Sequence, residues 1–121
     1  EVAPLAVSTL YLFKEQTYRG RCVVAYHGHV NELYELPADE LAKFTQDVAR
    51  AAKAMRTTLG AAKINYGAYS DKLPHLHFHL VPKYVDGPNW GSTFTMMPDP
   101  KVLLSAEDYA ALGTRIRSAL D

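Results

Sequence analysis

The sequence predicts an α+β fold, several antiparallel strands with two helices. Three observations carry this. β-Branched and aromatic residues cluster in short runs at 9–13, 21–26, 63–69 and 75–81. Apolar residues recur at steps of three and four between the second and third runs. A second helical pattern with its own start signal follows near the end of the chain.

The first two runs, with Tyr18, Arg19 and Gly20 between them, read as paired antiparallel strands joined by a turn. After Val30, the segment ELYEL leads to Pro37, well placed as a first helical residue. Leu41, Phe44, Val48, Ala51, Ala52, Met55 and Leu59 then form the apolar stripe of one long amphipathic helix, which Gly60 ends. Residues 63–69 (KINYGAY) read as a strand and 70–74 as a loop of turn formers. Residues 75–81 are the most strongly patterned strand in the chain. The run 84–100 contains Gly87, Pro88, Gly91, Pro98 and Pro100, and predicts an irregular excursion. Ser105 and Asp108 resemble a capping box, with Leu112, Ile116 and Leu120 on one stripe behind it.

Length and charge bound what such a fold can do. The 121 residues fit a single domain with one core. Thirteen basic residues balance thirteen acidic ones, so no net field attracts nucleic acid or an anionic membrane. Any phosphate-bearing ligand has to be held locally. The lone Cys22 excludes an internal disulfide and reads as a small buried strand residue in a reducing compartment. No apolar run reaches the ~20 residues of a membrane span, and the opening EVAPLAVSTL lacks the basic start of a secretory signal. The expectation is a cytoplasmic protein. Its first residue is Glu1, which points to trimming or to residues upstream.

The segment PHLHFHLVPKY, residues 74–84, places His75, His77 and His79 at alternate positions. Side chains alternate across a strand, so the imidazoles share one face while Leu76, Phe78 and Leu80 take the other. The histidine face must look into a cleft, because stranding three rings in a dry core costs a few kcal/mol each. One tetrahedral ion could take two adjacent rings but hardly all three, since the outer Cα atoms lie ~13 Å apart. Covalent chemistry suits the spacing better. A middle imidazole can attack phosphorus or a carbonyl while its neighbours, about 7 Å away, orient it and donate protons.

His75-Leu76-His77-Phe78-His79-Leu80-Val81 matches the histidine triad motif, and the chain resembles the histidine triad (HIT) superfamily over most of its length. The Gly20–Val24 run, the His29-Val30-Asn31-Glu32-Leu33 segment and Asn65 fit the same pattern. The stretch PHLHFHLVPKYVDGPNWG is similar to a bacterial branch that includes proteins like diadenosine tetraphosphate hydrolase. The resemblance implies a HIT-like fold, an antiparallel sheet of about five strands with one long central helix and a C-terminal helix. It implies a nucleotide phosphohydrolase or transferase that needs no metal or other cofactor, acts on a small nucleotide substrate and assembles as a homodimer. By the motif, His77 is the nucleophile, His79 contacts the phosphate and assists the leaving group, and His75 helps hold His77. Asn65, Asp71 and Lys83 are the implied nucleotide- or phosphate-binding residues.

This chain also departs from the family. Members commonly carry Gly-His where Gly20-Arg21 stands, and many carry Gly-Gln where Ser70-Asp71 stands. A carboxylate at 71 repels a polyphosphate unless Arg21, Lys72 or Lys83 offsets it. Near the ribose-gripping position of the first strand stand Phe13 and Lys14, not Asn or Asp. Trp90 either stacks on a base or packs locally. Two other readings stay open: a nucleotide-binding module with little catalysis, and a two-histidine metal site completed by another segment.

Overall fold

The computed structural model describes residues 1–120. Five antiparallel strands form one sheet in the order β1-β2-β3-β5-β4. These are β1 (Ala3–Pro4), β2 (Ser8–Leu12), β3 (Cys22–Tyr26), β4 (Lys63–Gly67) and β5 (His77–Lys83). Two helices complete the α+β fold, α1 (Ala38–Leu59) and α2 (Ala106–Ala119). A 3-10 turn at Leu33–Glu35 precedes α1, and neither it nor β1 has a signal in the sequence.

The expected elements are present with shifted ends. Pro37 caps α1 with an extended ψ of 159° and is not its first residue, while Gly60 ends the helix at a φ of 67°. That left-handed position is open to glycine at little steric cost. At α2, Ser105 accepts the amide hydrogen of Asp108 as the sequence predicts. Residues 84–100 contain neither helix nor strand.

The largest shift is at the triad strand. It begins at His77, not His75, and runs on to Lys83. The Leu76 backbone explains this: its N–H donates to Val30 and its carbonyl accepts from Tyr26, so the chain enters the sheet through a cross-link. Pro82 is tolerated in a central strand because β3 pairs β5 only from His77 to Leu80.

The apolar face of the sheet packs on α1. Leu10, Cys22, Val24 and Leu80 meet Phe44, Ala51 and Met55, all with essentially no exposure. Tyr26, Phe44 and Phe78 form a chain of edge-to-face rings through this layer. Asp47 of α1 is buried and accepts from Ala6 N, Val7 N and Ser8 Oγ, which ties the first strands to the helix. Cys22 is a buried strand residue as expected, and burial pushes its thiol up to about 12. Among the described residues no helix is long and apolar enough to cross a membrane.

Candidate functional site

Register decides what surrounds the histidines. His77 lies opposite Ala25 of β3, and His79 lies between Val23 of β3 and Gly67 of β4. A Cβ on Gly67 would sit 2.9 Å from the Tyr69 ring and 3.1 Å from the Phe94 ring, so this position has no space for a side chain.

Each ring has a fixed role in hydrogen bonding. His77 Nδ1 donates to the backbone carbonyl of His75 at 2.6 Å, because a carbonyl can only accept. In the neutral ring, Nε2 then carries the lone pair. Ser70 Oγ adds a contact at 3.3 Å to the same Nδ1 and donates to the His75 carbonyl at 3.2 Å. The His75 ring instead donates from Nε2 to the Tyr26 carbonyl at 2.6 Å. His75 thus holds His77 through its main chain, and its imidazole fastens the strand entry to β3.

His79 is buried, and its ring meets His77 edge-on at 5.2 Å and Phe13 at 5.4 Å. Its Nδ1 lies 3.2 Å from Nη2 of Arg21. Burial first, then the Arg21 charge, then His77 lower its pKa to about 4. Arg21 is itself fully buried, over the Phe13 ring at 4.1 Å and near Phe94 at 5.2 Å. Nη1 donates to the Met96 carbonyl at 3.0 Å, which holds the 94–96 segment above the sheet.

The residues implied for phosphate binding fall into two places. Asp71 is exposed in the bend after Ser70, and no hydrogen bond links it to a triad ring among the described residues. Lys83 is buried at the far end of β5, four residues and ~13 Å of strand beyond His79. Its Nζ donates to Ser92 O at 2.7 Å and to Asn65 Oδ1 at 3.4 Å. These two residues join Tyr66, Tyr69, Trp90 and Phe94 around a cavity of about 650 Å³ whose lining does not include His77 or His79. Trp90 is thus a wall of that cavity. Among the described residues no group of three or more His, Cys, Asp or Glu is arranged to hold a metal ion.

Ser70 was not foreseen as a partner of His77. The departure at Ser70-Asp71 from the Gly-Gln that the resemblance leads one to expect was a signal, and Ser70 takes a φ of +67°. The aromatic and carbonyl cage around Arg21 had no sequence signal, because Phe94 and Met96 lie in an irregular loop.

An α+β sheet presenting three alternating histidines, the middle one with a free ring nitrogen, defines a histidine triad protein. The HIT domain family model matches residues 8–86, and the chain belongs to the HIT family. The fold is shared by a histidine triad (HIT) protein from Sinorhizobium meliloti 1021, at 21% identity and a TM-score of 0.90 over 98% of this chain and 87% of that one. A hypothetical histidine triad nucleotide-binding protein from Sulfolobus tokodaii strain7 is 21% identical, with a TM-score of 0.78 over 98% and 81% of the two chains. A Zn-bound histidine triad family protein from Mycobacterium smegmatis is 24% identical, with a TM-score of 0.68 over 98% and 85%. No curated protein matches the sequence. Family membership points to nucleotide binding or to hydrolase and transferase chemistry.

Proposed function

We propose that residues 1–121 act as one HIT-like domain that cleaves a nucleoside monophosphate from a conjugate through a nucleotidyl-histidine intermediate. The conjugate is a dinucleoside polyphosphate or a nucleoside phosphoramidate, as in the branch of diadenosine tetraphosphate hydrolase-like proteins. One observation carries the reading: His77 Nδ1–H is committed to the His75 carbonyl, so its Nε2 lone pair is available for attack.

In this reading His77 attacks the α-phosphorus in line, and His79 hydrogen-bonds to the phosphoryl group as charge develops. Asp71 stands near the substrate at the mouth, beside Ser70. Asn65 and Lys83 lie too far along the strand for the scissile phosphorus, and contact the distal part of an extended leaving group. A homodimer in the cytoplasm belongs to the same reading. β4 supports the dimer, since it ends the sheet, is paired only by β5 and carries the exposed Tyr66.

The test is product release from a panel of dinucleoside polyphosphates and phosphoramidates, with mass spectrometry for one nucleotidyl group on His77. Monophosphate release, and an adduct missing from His77→Ala, are the expected results. AMP binding by calorimetry without turnover of any conjugate would replace the enzyme by a nucleotide-binding module. Stoichiometric zinc in the purified protein would favour the metal reading.

A further inference from the structure

We infer that Arg21 is a positioning residue that fixes His79 as a neutral imidazole with its proton on Nε2, so the site favours conjugates whose leaving group departs without being protonated. The preference for such conjugates rests on the proposed chemistry at His77; the state of His79 does not.

A guanidinium has five N–H donors and no acceptor. Contact between Arg21 Nη2 and His79 Nδ1 at 3.2 Å therefore requires a lone pair on Nδ1. The remaining ring proton is on Nε2. Protonating Nδ1 would set two N–H groups against each other and place a second cation beside a buried one. No carboxylate forms an ion pair with Arg21 among the described residues, and its Nε has no partner at all. The guanidinium cannot readily retreat, since Phe13 and Phe94 sandwich it and Met96 accepts at both its carbonyl and its Sδ. Every element around His79 agrees with this assignment. Arg21 immediately precedes β3, β5 supplies His77, Phe13 follows β2, and β4 supplies the uncharged Gly67. Burial lowers the Arg21 pKa from its usual value, and Glu15, Tyr18 and Tyr69 oppose that through space and favour the charged guanidinium.

The consequence is chemical. As the His77 Nε2–P bond forms, the bond to the leaving group breaks and its electron pair goes to the departing atom. A phosphate or phenolate oxygen carries that pair as an anion. An amine nitrogen leaves only with a proton, and no triad ring can supply one. His79 is a neutral donor, His77 Nδ1–H is held by the His75 carbonyl, and His75 Nε2–H is held by the Tyr26 carbonyl. Water then attacks phosphorus, the P–N bond breaks, its pair returns to Nε2 and the water proton passes to solvent. A histidine at position 21 would remove the permanent charge.

Two measurements decide the matter. Nitrogen-15 NMR of the unmodified protein reads the state of His79 directly, with its signals assigned through His79→Gln. The expected spectrum has a lone-pair nitrogen at Nδ1 and a protonated Nε2, unchanged from pH 8 down to pH 5.5. A proton on Nδ1, or titration near pH 6.5, overturns the positioning role. The second measurement compares kcat/KM for a dinucleoside polyphosphate and a nucleoside phosphoramidate. A preference of 100-fold or more for the anhydride is expected, shrinking at least tenfold in Arg21→His through faster phosphoramidate turnover. Equal turnover of both conjugates by the unmodified protein overturns the preference. Turnover of neither overturns the phosphohydrolase reading and the preference with it, while the NMR result still decides the role of Arg21.

Discussion

The two faces of β5 are built from alternate residues of one seven-residue strand, yet they answer to different physics. Phe78 and Leu80, with Leu76 just ahead of the strand, are packed by shape against β3 and α1, where many interchangeable contacts share the work. His77 is held by directed bonds to the His75 carbonyl and Ser70 Oγ, and His79 by one to Arg21. A packed face loses stability by degrees when it is altered, whereas a directed face loses one chemical capacity and keeps its fold.

Substitutions on opposite faces should separate these losses. His77→Ala should reduce turnover on the order of 10⁴-fold or more, with a melting temperature within about 3 °C of the parent. Leu80→Ala should do the reverse. Leu80 has no exposure, and its truncation is expected to cost about 3 kcal/mol in urea unfolding while kcat stays within about threefold at temperatures where the variant is folded. A large loss of kcat in folded Leu80→Ala would show that the faces are coupled.

Acid sharpens the same contrast. The folded protein holds His79 at about 4, against 6.5 for the free side chain, so the unfolded state binds more protons between those values. The stability contributed by neutral His79 is complete above pH 6.5 and is lost as pH falls toward 4. The parent should lose about 2 kcal/mol more than His79→Gln between pH 7 and pH 4.5, measured by urea midpoints. Equal losses in the two proteins would mean that His79 titrates in the folded state as it does in the unfolded chain.

Periodicity explains which parts of this were legible. The α1 stripe, the alternation of β5 and the capping of α2 are local patterns, so the sequence displays them. β1 has two residues, and pairing with β2, not propensity, makes it a strand. Strand β5 starts two residues late because Leu76 is held between Val30 and Tyr26, partners remote in sequence. The same limit applies at the site. Three aligned histidines are visible in the sequence, but the cage of Phe13, Phe94 and Met96 around Arg21 depends on how a Gly- and Pro-rich loop lies over the sheet.

Ser70 offers the finest test, because backbone and side chain pull in opposite directions there. Its φ of +67° costs a non-glycine residue about 1 kcal/mol, and its hydroxyl repays this through contacts with His75 O and His77 Nδ1. Ser70→Gly removes both the strain and the bonds, so unfolding should change by less than about 0.5 kcal/mol. Ser70→Ala keeps the strain and loses the bonds, and should be less stable by about 1 kcal/mol. His77 keeps its main anchor on the His75 carbonyl in either variant, so kcat should fall only about two- to fivefold, equally in both, with KM unchanged. Glycine and alanine variants that differ in kcat would show that the backbone at position 70, and not its hydroxyl, sets the angle of the nucleophile.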